Sequence, residues 1–308
     1  MVAAAVGPGS ARLVVWFVLH AHGIDDSELR RRYAQVFDDV AEEYDRVRRG
    51  YPDQLIDAAC ARGGLRAGDE VVEVGSGTGL LTAALLRRGL RVEAIDPGAN
   101  MIRLARRRVG AGAAVRFHHG RFEDIALPEG AFGAVFSATA FHWIEPEVGW
   151  ARAAGMLAPG GILALLQHSD VWDASTVDDW RAFQAALRTV APEIGERWPE
   201  LRDEDTILIG AAARADNISA VWSWIGRHEL TIAEAARLFD DVRVDAVRVR
   251  TEQTGDQVNA YLRTTSLYRR LEPSQRPVLE AENRAVAERA GGVVRWSELA
   301  VLVTGRRA

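Results

Sequence analysis

Between Glu70 and Leu166 the apolar positions switch repeatedly between two periods. Short β-rich runs at Glu70–Val74, Arg91–Ile95, Val115–His118, Ala134–Ser137 and Ile162–Leu166 are separated by turns or helical segments. Helices are predicted over Leu80–Arg88, closed by Gly89, and over Ala99–Val109. Upstream, Tyr33, Phe37, Val40, Ala41 and Tyr44 recur at helical spacing in a segment starting near Glu28. Gly50-Tyr51-Pro52 ends it, and Asp53 opens another helix reaching about Ala61. Such alternation predicts a parallel sheet wrapped by helices. After Gln167 the pattern becomes mostly helical and rich in tryptophan. Val242–Val249 returns as a strand, helices follow around Gly255–Arg270 and Pro273–Ala290, and Leu299–Thr304 reads as a last strand.

The expected architecture is therefore α/β: a seven-stranded, mostly parallel sheet with helices on both faces and a helical cover segment. Residues 28–308 form one domain, with a core at about 53–167, the cover at about 168–240, and C-terminal strands and helices at about 241–308. Residues 1–27 read as an N-terminal extension, either packed on a neighbouring copy of the chain, a route to a homo-oligomer, or lying upstream of the true start.

Composition narrows the partners. The chain of 308 residues has a net charge of −5, without the basic surplus that displaces counterions from nucleic acid. Arg30–Arg32 and Arg106–Arg108 read as solvated helix faces, and no nucleic-acid partner is expected. Cys60 is the single cysteine, so no internal disulfide forms and a cytoplasmic location is expected. The apolar run Leu13–Leu19 falls far short of the roughly 20 residues of a membrane span. No Asp/His/Glu cluster has metal-ligand spacing, so no metal is expected.

Strand Val71–Val74 runs straight into Gly75-Ser76-Gly77-Thr78-Gly79 and then a helix. Glycines let a ligand lie against the main chain, and the helix start offers free N–H groups. A dinucleotide fingerprint would put its third glycine where Leu80 stands. A P-loop needs a lysine, and this chain has none. Asp96, ending the second strand, is placed to accept hydrogen bonds from both ribose hydroxyls of an adenosine.

The pattern Glu73-Val74-Gly75-Ser76-Gly77-Thr78-Gly79 resembles motif I of the class I S-adenosylmethionine-dependent methyltransferases. The resemblance extends from about Tyr33 to Leu166. It is carried also by Phe37–Asp45, Arg48-Arg49-Gly50-Tyr51-Pro52, Ile95-Asp96-Pro97, Gly120–Asp124, Ala140-Phe141-His142-Trp143 and Leu157–Gly161. The small-molecule group that includes trans-aconitate and ubiquinone-type enzymes is the most similar. The resemblance implies a Rossmann-like fold and S-adenosyl-L-methionine as cofactor.

It implies roles as well. Gly75, Ser76, Gly77 and Gly79 would form the floor beneath the methionine and ribose, with Glu73 toward the amino group. Asp96 would hold the ribose, Pro97 and Met101 the adenine, and the backbone of Arg121 and Phe122 the adenine edge. Ser137 would offer its carbonyl to the ammonium, and Tyr44 and Arg48 would come from a lid helix, Arg48 pairing with a carboxylate. Many relatives have Asp where Arg121 stands, so Glu123 or Asp124 would have to accept from the adenine amino group. The expected activity is methyl transfer to oxygen or carbon of a small, apolar, natural-product-like or lipid-like acceptor. The alternative is cyclisation or decarboxylation on the same fold. His142 is the expected general base. Tyr33, Phe141, Trp143, Trp172, Trp222 and Trp224 are the expected acceptor contacts.

Overall fold

The computed structural model describes residues 37–228 and 231–308. Tyr33 and the extension over residues 1–27 lie outside them. Helix α1 (Ala41–Val47) and α2 (Asp53–Gly63) precede the sheet. Then β1 (Glu70–Val74), α3 (Leu80–Arg87), β2 (Arg91–Asp96), α4 (Ala99–Val109), β3 (Val115–His119) and β4 (Phe132–Ala138) alternate as the pattern predicts. A 3₁₀ turn at Phe141–Trp143 and α5 (Pro146–Met156) lead into β5 (Leu157–Asp170).

The remaining elements are α6 (Val177–Val190), α7 (Pro192–Gly195), α8 (Glu204–Ala212), α9 (Ile218–Gly226), α10 (Ala235–Leu238) and β6 (Phe239–Gln253). Helices α11 (Gly255–Arg263), α12 (Ser266–Arg270) and α13 (Gln275–Arg289) and strand β7 (Val294–Arg307) complete the chain. The single helix expected over Gly255–Arg270 is broken at Thr264 and Thr265. Thr265 caps α12 by accepting from the Tyr268 amide, which a continuous helix would not permit.

The sheet order is β3-β2-β1-β4-β5-β7-β6. The first five strands are parallel, and β7 runs antiparallel between β5 and β6. Alternate residues of each strand enter opposite cores. Val72, Val74 and Val135 face α5, α8 and α9, whereas Val71, Ala134 and Phe136 face α2 and α3. A third apolar cluster stands off the sheet: α6 and α7 pack with α11, α12 and α13 around Phe183, Leu187, Leu271, Leu279 and Val286.

The expected cover therefore divides. Its first part packs with the C-terminal helices over the start of β7, and α8–α10 return to a sheet face. The reason is visible in α9, where Ile218, Val221, Trp222 and Ile225 are buried to 1% exposure or less and can only be satisfied against the sheet.

Candidate functional site

The glycine loop is tied down before it meets any ligand. The Gly75 and Ser76 amides both donate to the Ile95 carbonyl, at 2.9 and 3.0 Å, fixing the end of β1 to the end of β2. Gly75, Gly77 and Gly79 all have left-handed backbones, with φ of 72°, 53° and 83°. Their neighbourhoods differ. A Cβ on Gly75 would collide with Ala140, and one on Gly79 would sit 3.0 Å from the Ala105 backbone, so Gly79 serves the packing of α3 on α4. A Cβ on Gly77 would meet open space. That space is a cavity of about 550 Å³ walled by the loop, Glu73, the segment Tyr44–Pro52, Thr139, His168, Tyr261 and Glu298.

Glu73 is 1% exposed and takes a 2.6 Å hydrogen bond from the Thr82 hydroxyl. No arginine or histidine pairs with it among the described residues. Burial pushes its carboxyl up to about 8, with the Thr82 bond opposing and the Asp96 charge adding to the rise. Asp96 accepts from the amides of Gly77 at 2.7 Å and Gly98 at 2.8 Å. Burial raises it to about 6 against those two bonds, with the charge of Asp38 nearby also raising it.

On the opposite wall, Arg48 donates to the Thr264 hydroxyl at 3.1 Å, the Tyr261 hydroxyl at 3.0 Å and the Thr264 carbonyl at 2.9 Å. Its guanidinium lies over the Tyr261 ring, 4.3 Å from the centroid, and near that of Tyr44 at 5.0 Å. Among the described residues no carboxylate reaches ion-pair distance. Tyr51 bonds Thr139 through its hydroxyl and stacks on His168 with ring centroids 4.4 Å apart. Burial, with Arg48 and Arg49 adding, lowers His168 to about 4, so it is neutral at neutral pH.

A second cavity of about 260 Å³ adjoins the first, and Gln253, Tyr261 and Glu298 line both. Its walls are largely apolar, with Trp180, Phe183, Trp198 and Trp296 prominent.

The structure brings Glu73, Gly75, Ser76, Gly77, Tyr44 and Arg48 together on the first cavity. Asp96, Pro97, Met101, Arg121, Phe122 and Ser137 are not among its lining residues, although Asp96 bonds the Gly77 amide of its floor. Ser137 is buried and donates to the Val74 carbonyl at 2.9 Å. Met101 packs under Ala41 with Leu104. Arg121 is drawn to Glu123 at 2.7 Å, and Glu123 also accepts from the Glu145 amide, so that carboxylate is already engaged.

The expected acceptor contacts move. Trp222 is wholly buried against the sheet. Trp224 donates to the Ile207 carbonyl at 3.0 Å, and the guanidiniums of Arg202 and Arg214 lie over its ring. Trp172 is 43% exposed, and Phe141 packs edge-on against Trp150. Trp143 meets Phe37, and His142 stacks on His228 with centroids 4.5 Å apart. None of these six lines either cavity. Of the residues that do, Tyr51 falls in the segment Arg48–Pro52, whereas Thr139, His168, Tyr261, Trp296 and Glu298 carry no motif. For His168, Trp296 and Glu298 the signal is period-two spacing, His168 with Asp170 and Trp296 with Glu298, which puts each pair on one strand face.

Residues 72–165 match the family model for the methyltransferase domain. The uncharacterized methyltransferase Rv3342 of Mycobacterium tuberculosis is 34% identical over 143 residues, covering 46% of this chain and 55% of the relative. Rv0089 of the same organism, also an uncharacterized methyltransferase, is 40% identical over 97 residues, 31% of this chain and 49% of the relative. The chain thus spans about half the length of these curated relatives. Among solved structures, a candidate type II methyltransferase from Anaeromyxobacter dehalogenans superposes with a TM-score of 0.55 at 19% identity, over 84% of this chain and 97% of that one. The [4+2]-cyclase SpnF superposes at 0.50 and 16% identity, over 90% and 96%. These last two likenesses concern the fold. The matched family model, the glycine loop it contains and the sheet order agree on a methyltransferase domain over residues 72–165 of this chain.

Proposed function

We propose that the chain transfers a methyl group from S-adenosylmethionine to oxygen or carbon of a small, apolar acceptor. The supporting observation is the charge layout of the first cavity. A buried carboxyl, Glu73, and a half-buried guanidinium, Arg48, neither with an oppositely charged side chain at ion-pair distance among the described residues, line one space floored by Gly75 and Gly77. An amino-acid moiety with its ammonium and carboxylate answers both groups. The donor's sulfonium supplies a methyl already activated for in-line displacement.

The protein's part is then to hold and exclude. Glu73 ionises against the ammonium, Arg48 turns its remaining N–H groups to the carboxylate, and Asp96 presents its outer lone pairs to the ribose. Correct alignment of an acceptor contributes on the order of 7–11 kcal/mol to such a displacement. No helix among the described residues is long and apolar enough to cross a membrane, and the apolar second cavity favours a small acceptor.

Calorimetric titration should show one cofactor site per chain, lost in Gly77→Arg and weakened in Asp96→Ala. A labelled-methyl assay should yield methylated product together with S-adenosylhomocysteine. Turnover without S-adenosylhomocysteine would instead establish cyclisation or decarboxylation on this fold, and unchanged affinity in both variants would defeat the site.

A further inference from the structure

Where the two cavities meet, three ionisable side chains share one face of the antiparallel β5–β7 ladder. Asp170 and Glu298 are direct cross-strand partners, and His168, two residues before Asp170, brings Nδ1 to 3.5 Å from a Glu298 oxygen. Cβ atoms of directly opposed residues stand about 4.5–5.5 Å apart, so the two acidic side chains leave the ladder side by side. Asp170 is further fixed by the Trp296 indole N–H, which donates to Oδ1 at 2.8 Å. Asp170 faces the second cavity and Glu298 faces both.

Both acids are half-buried, and bringing like charges together away from water is costly. Helices α6, α11, α12 and α13 close a largely apolar slot over the pair, with Arg270 and Asn283 among its polar lining. Within it the Trp180 ring meets Trp296 edge-on at 5.1 Å, and Phe183 lies 5.5 Å from Trp296.

We propose that the second cavity holds the acceptor, a flat apolar molecule bearing a hydroxyl, and that Glu298 takes the hydroxyl proton during transfer. This rests on the methyl-transfer reading above. As the acceptor oxygen's lone pair forms the new C–O bond, the donor's C–S bond breaks and its electron pair stays on sulfur. The O–H bond breaks in the same step, its pair remaining on oxygen and its proton passing to a Glu298 carboxylate oxygen. The products are a methyl ether, a neutral thioether and a protonated Glu298, which returns its proton to solvent.

The groups facing Glu298 set its basicity. Burial raises its pKa, Asp170 of β5 raises it further, and Arg49 and Arg48 of the segment after α1 pull the other way. Asp170 is likewise raised by burial, opposed by the Trp296 bond and the charge of Arg227. His168, neutral, and the Tyr261 hydroxyl are also near, and Arg270 of α12 lines the same cavity. A carboxylate raised toward neutrality is a stronger base than an exposed one.

The test uses 4-nitrophenol, a flat phenol whose anion is yellow, with the whole chain. Quenching of tryptophan fluorescence should report its binding, and filling the slot with Leu262→Trp should weaken that binding at least tenfold. Ser266→Phe, at a half-buried slot position, is the second such variant should the first not fold. The bound phenol, read from its own colour, should ionise at least one pH unit higher in the wild type than in Glu298→Gln, because a neighbouring carboxylate repels phenolate. Absence of binding at millimolar phenol, binding indifferent to both slot variants, or equal phenol ionisation in wild type and Glu298→Gln would overturn the proposal. Cofactor affinity measured alongside keeps the two readings apart. If the cofactor binds and the phenol results fail, the acceptor site alone is wrong; if the cofactor fails to bind, the methyl-transfer reading falls first.

Discussion

Replacing Glu73 by glutamine removes one charge from the first cavity while keeping the side chain's shape and its capacity to accept from Thr82. In the folded, ligand-free chain the carboxyl is displaced from its ordinary 4.5 to about 8. At about 1.4 kcal/mol per pH unit, that displacement corresponds to roughly 5 kcal/mol of preference for the neutral form. The sign follows from which state holds the proton. Below pH 4.5 folded and unfolded chains both carry it, and the contribution to stability is complete. Between there and about 8 only the folded chain carries it, and stability falls as pH rises.

Glutamine has no such dependence. Its buried amide imposes a cost of about 1–3 kcal/mol that is the same at every pH. The difference in unfolding free energy, variant minus wild type, should therefore climb by about 3 kcal/mol between pH 4.5 and pH 7, with other titrating groups cancelling. Urea denaturation of both proteins without cofactor, at half-unit pH intervals, measures it. A flat difference across that range would refute the reasoning, because it would mean that Glu73 is ionised in the folded chain. The cofactor reverses the preference. Binding an ammonium beside Glu73 at pH 7 should release close to one proton, read from the dependence of calorimetric heat on buffer ionisation enthalpy. In Glu73→Gln that release should vanish and the dissociation constant rise about 10- to 100-fold, the worth of a hydrogen bond to a charged group.

Other outcomes follow from neighbouring features. Gly77→Arg has left-handed strain of about 1–2 kcal/mol but no clash at Cβ, so it should fold, by circular dichroism and urea melts, and lose cofactor binding. Trp222→Ala should cost about 3–5 kcal/mol in urea, since the whole side chain is buried, while cofactor affinity of the folded fraction stays within threefold. Asp173, buried and bonded to Ser175, Arg248 and Arg250, is held below the usual carboxylate range, so its contribution is present above about pH 4 and lost as pH falls further. Asp173→Asn should therefore destabilise at pH 7 by about 3 kcal/mol and blunt the acid limb of the stability curve.

The elements around the glycine loop were legible because each is specified locally. A β-rich run, three glycines and an apolar helix occur within eighteen residues of one another, and Asp96 follows at the end of the next strand. Strand ends were less legible. The reading of β5 stops at Leu166, where apolar residues give way to Gln167, His168, Ser169 and Asp170. Those four continue as strand only because β7 supplies backbone partners from more than 120 residues away, a contribution no local pattern reveals. The cavity junction lies on that extension.

The tryptophans show the same limit more sharply. Trp222 shares its helix face with Ile218, Val221 and Ile225, and Trp180 shares its own with Phe183 and Leu187. Both patterns describe an amphipathic or apolar helix seeking a surface, and neither says which surface it finds. Long-range packing decides: α9 returns to the sheet and consumes Trp222 as core, whereas α6 meets α13 and leaves Trp180 on a cavity wall. Cofactor chemistry is written where strand, loop and helix adjoin in sequence. Acceptor chemistry is written in which distant helices meet over β7, so its residues emerge only once the strands are in register.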